Sequence, residues 1–312
     1  MNKSPLNISG PFTHEGLTIF LFHGADQIDG SRYASLSDGL EKKHVVVHET
    51  GTVGQLEVEN LSQNTDVFIQ AGDVLKGGRQ DRTIAIDFIV PVQSGRIPIP
   101  SFCVESGRWH RRNEESQRLF SCSTNALHAK PARLAAKLKR NQSAVWEGVA
   151  ACQEDLSSAL GKSVHSNASP TSYQLSVENR DLQKRKRDYE TKLGRIVEER
   201  SDAVGYAFYV NGRRNSADIY ASTKLFHMLW KKLLDVAILE AISASNGAPA
   251  VTDSSKVQAW LSESAEAKVR DNQRALPRTL VATKEYQTGT VFETFDEAVD
   301  DRVILHTSII SH

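Results

Sequence analysis

The chain has 312 residues, with 38 Lys and Arg against 38 Asp and Glu, so its formal charge is zero. That balance excludes a surface that is cationic throughout, and 39% hydrophobic with 24% charged residues excludes a disordered chain. No apolar run approaches the ~18 residues of a membrane helix, and Met1–Gly10 lacks the basic segment and apolar core of a secretory signal.

The first third reads as β. Short stretches rich in β-branched or aromatic residues lie at Leu17–Phe22, His44–His48, Leu56–Asn60, Asp66–Gln70, Ile84–Val92 and Ile97–Glu105, with turn-like clusters between them. Their spacing, with almost no helical pattern between them, predicts antiparallel pairing in a sandwich or barrel. Ser35–Lys43 is the exception, because Leu36 and Leu40 stand four apart and predict a short helix.

The middle reads as α. Ala132–Leu138 and Val145–Leu160 carry apolar residues at helical spacing, and Pro131 suits a first turn. Ser163–Ser176, rich in Ser and Asn, is expected to be a mobile loop. Asn179–Glu199 alternates basic and acidic blocks around a narrow stripe of Leu182, Tyr189, Leu193 and Ile196, the pattern of a solvated helix.

The last third is mixed. Val204–Val210 and Ser216–Tyr220 flank Asn211-Gly212, a strong hairpin signal. Ser222 then caps a helix over Thr223–Ser243, whose wide apolar face includes Leu225, Phe226, Leu229 and Leu233. A short helix at Lys256–Leu261 and closing strands at Leu280–Lys284, Thr290–Glu293 and Val303–Ile310 complete the reading. The expected fold class is therefore α+β: an antiparallel, β-rich, sandwich- or barrel-like N-terminal half (1–115) packed with a mainly helical C-terminal half (116–312) carrying a hairpin near 204–220.

Three cysteines at wide spacing, with no CxxC pair, predict neither a disulfide framework nor a structural zinc site, and a reducing cytoplasm is the expected location. His44 and His48 lie four apart on one strand face, but no third ligand accompanies them and no metal centre is expected. No phosphate-binding loop, dinucleotide fingerprint or nucleophile elbow is present, and no cofactor is assigned.

Chemistry concentrates between Ala71 and Arg112. Gly77-Gly78, which admit positive φ or a close backbone approach, precede Arg79-Gln80-Asp81-Arg82, and Cys103, Glu105, Arg108, Trp109 and His110 follow some twenty residues later. Planar guanidinium heads suit phosphates, and an indole stacks on a flat ring. The plainer reading is that Asp73, Asp81 and Glu105 pair with Arg79, Arg82 and Arg108 and brace loops. The neutral total also hides asymmetry. Glu105–Arg140 holds nine Lys and Arg against three Glu, a net of +6, and Glu285–Arg302 a net of −5.

Val58-Glu59-Asn60, Gly72-Asp73-Val74-Leu75-Lys76-Gly77-Gly78-Arg79-Gln80-Asp81-Arg82, Val90-Pro91, Ile97-Pro98-Ile99-Pro100 and Cys103-Val104-Glu105-Ser106-Gly107-Arg108-Trp109 together resemble the ARG and rhodanese-phosphatase-superfamily-associated protein domain family, where ARG denotes ADP-ribosylglycohydrolase. Tyr206–Gly212, Asp218-Ile219-Tyr220 and Leu225–Leu233 extend the likeness, so a single family domain is expected over 1–312. Asp81 stands where the family pattern has an asparagine, and Gly78 where it has a small residue such as alanine. The resemblance implies association with ADP-ribosylglycohydrolases or phosphatases, and an anionic, nucleotide-type ligand such as ADP-ribose or an NAD-derived nucleotide, bound or processed. It points to Arg79, Arg82 and Arg108 as phosphate holders, Gln80 as an orienting amide, Trp109 as a stacking platform and Glu105 as general acid or base. Two other classes stay open. One is a non-catalytic scaffold or sensor whose motif residues are structural. The other is an RNA-associated protein using Lys130–Arg140 and Lys184–Arg187, which is not favoured.

Overall fold

Strands from both ends of the chain share one antiparallel sheet. The computed structural model describes residues 6–110, 112, 115–116, 118–276, 278–299 and 303–312. It divides into two units: 1–32, 189–237 and 244–312 form the first, and 33–188 with 238–243 the second.

In the first unit, eight strands of the described residues run in the spatial order Asn7–His14, Leu17–His23, Ala203–Val210, Arg213–Tyr220, Ile304–Ser311, Gly289–Asp296, Thr279–Tyr286 and Lys268–Leu276. The predicted hairpin is present, with Asn211 at φ 50° and Gly212 at φ 73°, the left-handed pair that matches strand twist. One sheet face buries Phe20, Phe22, Tyr209, Ala217 and Ile309 against Val257, Trp260 and Leu261 of the helix Ser254–Ala265. Asp253 starts that helix by accepting from the Ser255 and Lys256 amides at 2.9 and 3.2 Å, which satisfies donors that the helix leaves without partners. Ser222 accepts from the Leu225 amide and opens Thr223–Ser243 at the predicted residue.

In the second unit, a six-stranded sheet runs Phe120–Ala126, Asp73–Gly77, Arg82–Ile84, Arg96–Cys103, Gln55–Asn60 and Val45–Thr52. A smaller sheet holds Tyr33–Ser35, Asp66–Ile69 and Phe88–Val90. Helices at Leu36–Glu41, Lys130–Leu134, Gln142–Leu160 and Tyr173–Val177 accompany them, and a π-helical turn extends Lys130–Leu134 through Ala135–Lys139. The cap of Leu36–Glu41 is Ser35, whose hydroxyl accepts from the Asp38 amide at 3.1 Å.

The mixed α+β class is present, and its expected division is seen only in part. Helices do dominate the stretch from Lys130 to Leu193 and recur at Thr223–Ser243 and Ser254–Ala265, but six of the eight strands of the large sheet also lie after residue 200. The run Ile84–Val92 is not one strand. Arg82–Ile84 and Phe88–Val90 belong to different sheets, and Asp87 between them accepts from the Ala71 amide at 2.8 Å. The Ser-rich segment is not a loose loop either, since Ser169 and Ser172 are buried and bonded to acidic side chains. The helix Arg180–Leu193 is only partly solvated: Lys186 is buried, its ammonium 3.2 Å from the Asn125 amide oxygen. Lys184–Arg187 therefore does not present one basic face. Among the described residues, no helix is long and apolar enough to cross a membrane.

Candidate functional site

The two motif segments meet through strand pairing. Asp73–Gly77 turns at Gly77 and Gly78 and returns as Arg82–Ile84, which pairs with Arg96–Cys103 so that Arg82 stands opposite Cys103. Gly77 has φ +121° and Gly78 φ +56°. A Cβ on Gly78 would lie 2.3 Å from the Phe120 ring and 2.8 Å from Glu49 Oε2. Glycine is required there by both backbone angle and space.

The motif side chains divide into an enclosed group and an open one. Glu105 is fully buried. Its Oε2 accepts from Arg108 Nε at 2.8 Å and from the Asp81 amide at 3.3 Å. Its Oε1 accepts from the Ser169 hydroxyl and from Arg112 Nη1 at 3.4 Å. Asp81, equally buried, accepts from the Gly77 amide at 3.1 Å, from Arg112 Nη1 at 3.0 Å and from Ser172 Oγ at 3.0 Å. Arg108 also donates to the His110 carbonyl at 2.6 Å, and Arg112 to Glu115 Oε1 at 2.9 Å.

Two carboxylates and two guanidiniums thus satisfy one another away from water, the condition under which buried charge is tolerated. The carboxylates titrate in opposite directions. Burial pushes the Asp81 carboxyl up, the Glu105 charge adds to this, and Arg112 offsets only part. Burial also raises Glu105, but hydrogen bonds from Arg108 and Ser169 and the charges of Arg108 and Arg112 outweigh it, leaving Glu105 below its ordinary value.

Gln80 and Arg82 belong to a second buried layer. Gln80 Nε2 donates to the Glu105 carbonyl at 3.0 Å, and its Oε1 accepts from Arg82 Nη1 at 3.1 Å and from the Cys103 thiol at 2.9 Å. Arg82 Nη1 also contacts Cys103 Sγ. The Cys103 backbone is held by Gln142 of the helix Gln142–Leu160, through paired hydrogen bonds of 2.9 Å each. Burial pushes the Cys103 thiol up to about 11 despite Arg82 beside it, so it is a thiol and not a thiolate at neutral pH.

Arg79 and Trp109 face outward. Trp109 is 40% exposed. The guanidinium carbons of Arg79 and Arg82 lie 5.4 and 5.7 Å from its ring centre, within cation–π range. Arg79 forms part of the wall of a cleft of about 480 Å³, together with His48, Glu49, Arg96 and Arg118. Among the described residues, no carboxylate pairs with the Arg79 or Arg118 side chain. Arg96 reaches Glu57 at 3.7 Å across an exposed position, and His48 lies 3.5 Å from Glu59. Glu49 is the acid of the cleft and is already engaged. Its Oε2 accepts from the Arg79 amide at 3.1 Å and its Oε1 from the Gly51 amide at 2.9 Å.

Sequence reasoning missed Glu49, Arg96, Arg112, Arg118, Ser169 and Ser172. Arg112 was visible as the end of the run Arg108–Arg112, but no local pattern marked Glu49 or the two serines as partners of the motif. Chemically, the enclosed group can hold two loops in register, and the open group can take an anion beside a flat ring.

The family model described as ARG and Rhodanese-Phosphatase-superfamily-associated Protein domain matches residues 5–310. No curated protein and no solved structure matches.

Proposed function

The chain belongs to the ARG and Rhodanese-Phosphatase-superfamily-associated Protein domain family, and we propose that it binds an anionic, nucleotide-type ligand such as ADP-ribose or an NAD-derived nucleotide in the cleft of Arg79, Arg96 and Arg118. One observation carries this reading. The Arg79 guanidinium, which shares the wall of a cleft with two further arginines, stacks on a half-exposed indole. Cations in a concave site concentrate a phosphate ligand, and guanidinium forks bind it with defined geometry. The exposed part of Trp109 offers a stacking surface for a base. The family's association with ADP-ribosylglycohydrolases supports the ligand class.

In this reading Arg79 and Trp109 keep the ligand-binding roles expected of them. Glu105 and Arg108, with Asp81 and Arg112, are assigned a brace that holds the segment 105–109 against the turn 77–82. Glu105 is not assigned acid–base work, because both its oxygens are engaged and covered. The same closed network is what favours the scaffold or sensor reading, in which no ligand enters the cleft.

A thermal-shift screen with ADP-ribose, NAD, ADP and phosphorylated sugars separates the two. A ligand that binds only the folded chain raises Tm by mass action, and Arg79→Ala or Arg118→Ala is expected to remove the rise. Absence of any shift at millimolar ligand overturns the binding reading and leaves the scaffold.

A further inference from the structure

The Arg82 side chain is fully buried, yet only part of it is satisfied. Its Nη1 is engaged by Gln80 and Cys103. Its Nε and Nη2 form no hydrogen bond. These two nitrogens make up the side-on edge of the guanidinium, whose parallel N–H bonds match two oxygens of one oxyanion. Buried donors without an acceptor carry the full cost of desolvation, and a native fold keeps such a group for a reason.

The edge also has a direction. Nη2 points toward Glu49 Oε2 at 3.7 Å, an ion-pair contact too long for a hydrogen bond. Glu49 in turn is part of the wall of the Arg79 cleft. The indole of Trp109 stacks on Arg82 while its outer part stays exposed, so it covers the buried guanidinium from the solvent side.

We propose that the Nε–Nη2 edge of Arg82 is an inner anion subsite, adjoining the Arg79 cleft and covered by Trp109, that takes one singly charged phosphate of a pyrophosphate-bridged ligand. This rests on the anion-binding reading of the cleft and specifies its ligand class. The charge count selects the phosphate. At the inner edge itself, Arg79 and Arg82 against Glu49 leave one net positive charge, while Arg96 and Arg118 of the cleft wall remain for the second phosphate. Each phosphate of a pyrophosphate diester carries one negative charge, and the sum is then zero. A phosphomonoester dianion would place a second negative charge against Glu49, and repulsion between close charges in a dry site is strong. Trp109 must swing aside for the phosphate to reach Arg82. Its place on the exposed side makes that a side-chain movement, with no rearrangement of the sheet.

Arginine-selective labelling with phenylglyoxal, mapped by peptide mass spectrometry on the full chain, tests this. The wild type and Trp109→Ala are compared, each with and without ADP-ribose or AMP, after melting curves confirm that the variant folds. In the wild type Arg82 is expected to react at least about tenfold more slowly than Arg79 or Arg118, as a group exposed only by local opening does. Trp109→Ala is expected to raise the Arg82 rate several-fold, and ADP-ribose to protect Arg82 in both proteins better than AMP does. If ADP-ribose protects Arg79 and Arg118 but leaves Arg82 unaffected, the inner subsite is wrong and the outer cleft stands. An Arg82 rate that Trp109→Ala does not change removes the covering role and overturns the proposal. Equal protection by AMP overturns the selection for singly charged phosphates. Protection of no arginine by any ligand overturns the cleft reading itself.

Discussion

Asp81 and Glu105 share one cation: Arg112 Nη1 lies 3.0 Å from Asp81 Oδ2 and 3.4 Å from Glu105 Oε1. The turn 77–82 and the segment 105–109, which carry the two acids, are tied by the same group, yet the acids differ in what they contribute. Glu105 is held charged, whereas Asp81 is pushed toward its neutral form.

Their amide variants are therefore expected to differ. Glu105→Gln removes the main partner of Arg108 and should destabilise by about 3 kcal/mol, as loss of one member of a buried pair does. Asp81→Asn leaves Arg112 with Glu105 and Glu115, and should cost less than half as much. Urea unfolding of both variants checks this, and an equal or greater cost for Asp81→Asn contradicts it.

The pH dependence has a definite sign. Glu105 is lowered from 4.5, so its contribution is full above that value and is lost as pH falls through the lower folded value. Asp81 is raised from 3.8, so its contribution is present at acid pH and is lost as pH rises through the folded value. The penalty of Glu105→Gln should thus shrink in acid. Asp81→Asn should improve relative to wild type as pH rises. Stability curves at a series of pH values between 3 and 7 would show the opposed slopes, roughly as linkage requires.

Thiol chemistry should be confined to one cysteine. Cys103 is buried and raised to about 11 by burial. Cys152 is buried against His128 at 3.1 Å and raised well above its ordinary value by burial. Cys122 is half-buried, beside Ser37. Under native conditions a disulfide reagent should modify Cys122 first, and the other two only on unfolding. Fast modification of Cys103 in the folded protein would contradict its placement.

Gly78 is expected to resist the alanine that the family pattern allows. Its φ of +56° and the 2.3 Å approach to the Phe120 ring predict a cost of about 1–3 kcal/mol for Gly78→Ala. A Tm equal to the wild type would show that the turn relaxes at no cost.

Local chemistry made much of the fold legible. Thr223–Ser243 was readable from end to end because Ser222 caps it and its apolar face is wide, and Asn211-Gly212 announced its hairpin. The edge strands Asn7–His14 and Lys268–Leu276 were not, because edge strands of a sheet are polar and lack alternation. The exchange of sheets near Asp87 was hidden inside an apolar run. For the site, the sequence marked the two polar segments but not which of their side chains turn inward. Arg79 and Arg82 are the same residue type three positions apart, and only the pairing of Arg82 with Cys103 decides that one is buried and the other open. Glu49, on the strand Val45–Thr52, and Arg118, in the bend before Phe120–Ala126, approach the motif from other parts of the chain, and no spacing rule connects them.

The most direct test is calorimetric titration of ADP-ribose into the wild type and Arg79→Ala at low salt. Binding to the wild type is expected, weakened about tenfold or more in the variant, the loss of one charge-assisted contact. Affinity unchanged in Arg79→Ala, or no heat of binding with the wild type at millimolar ligand, would contradict the account.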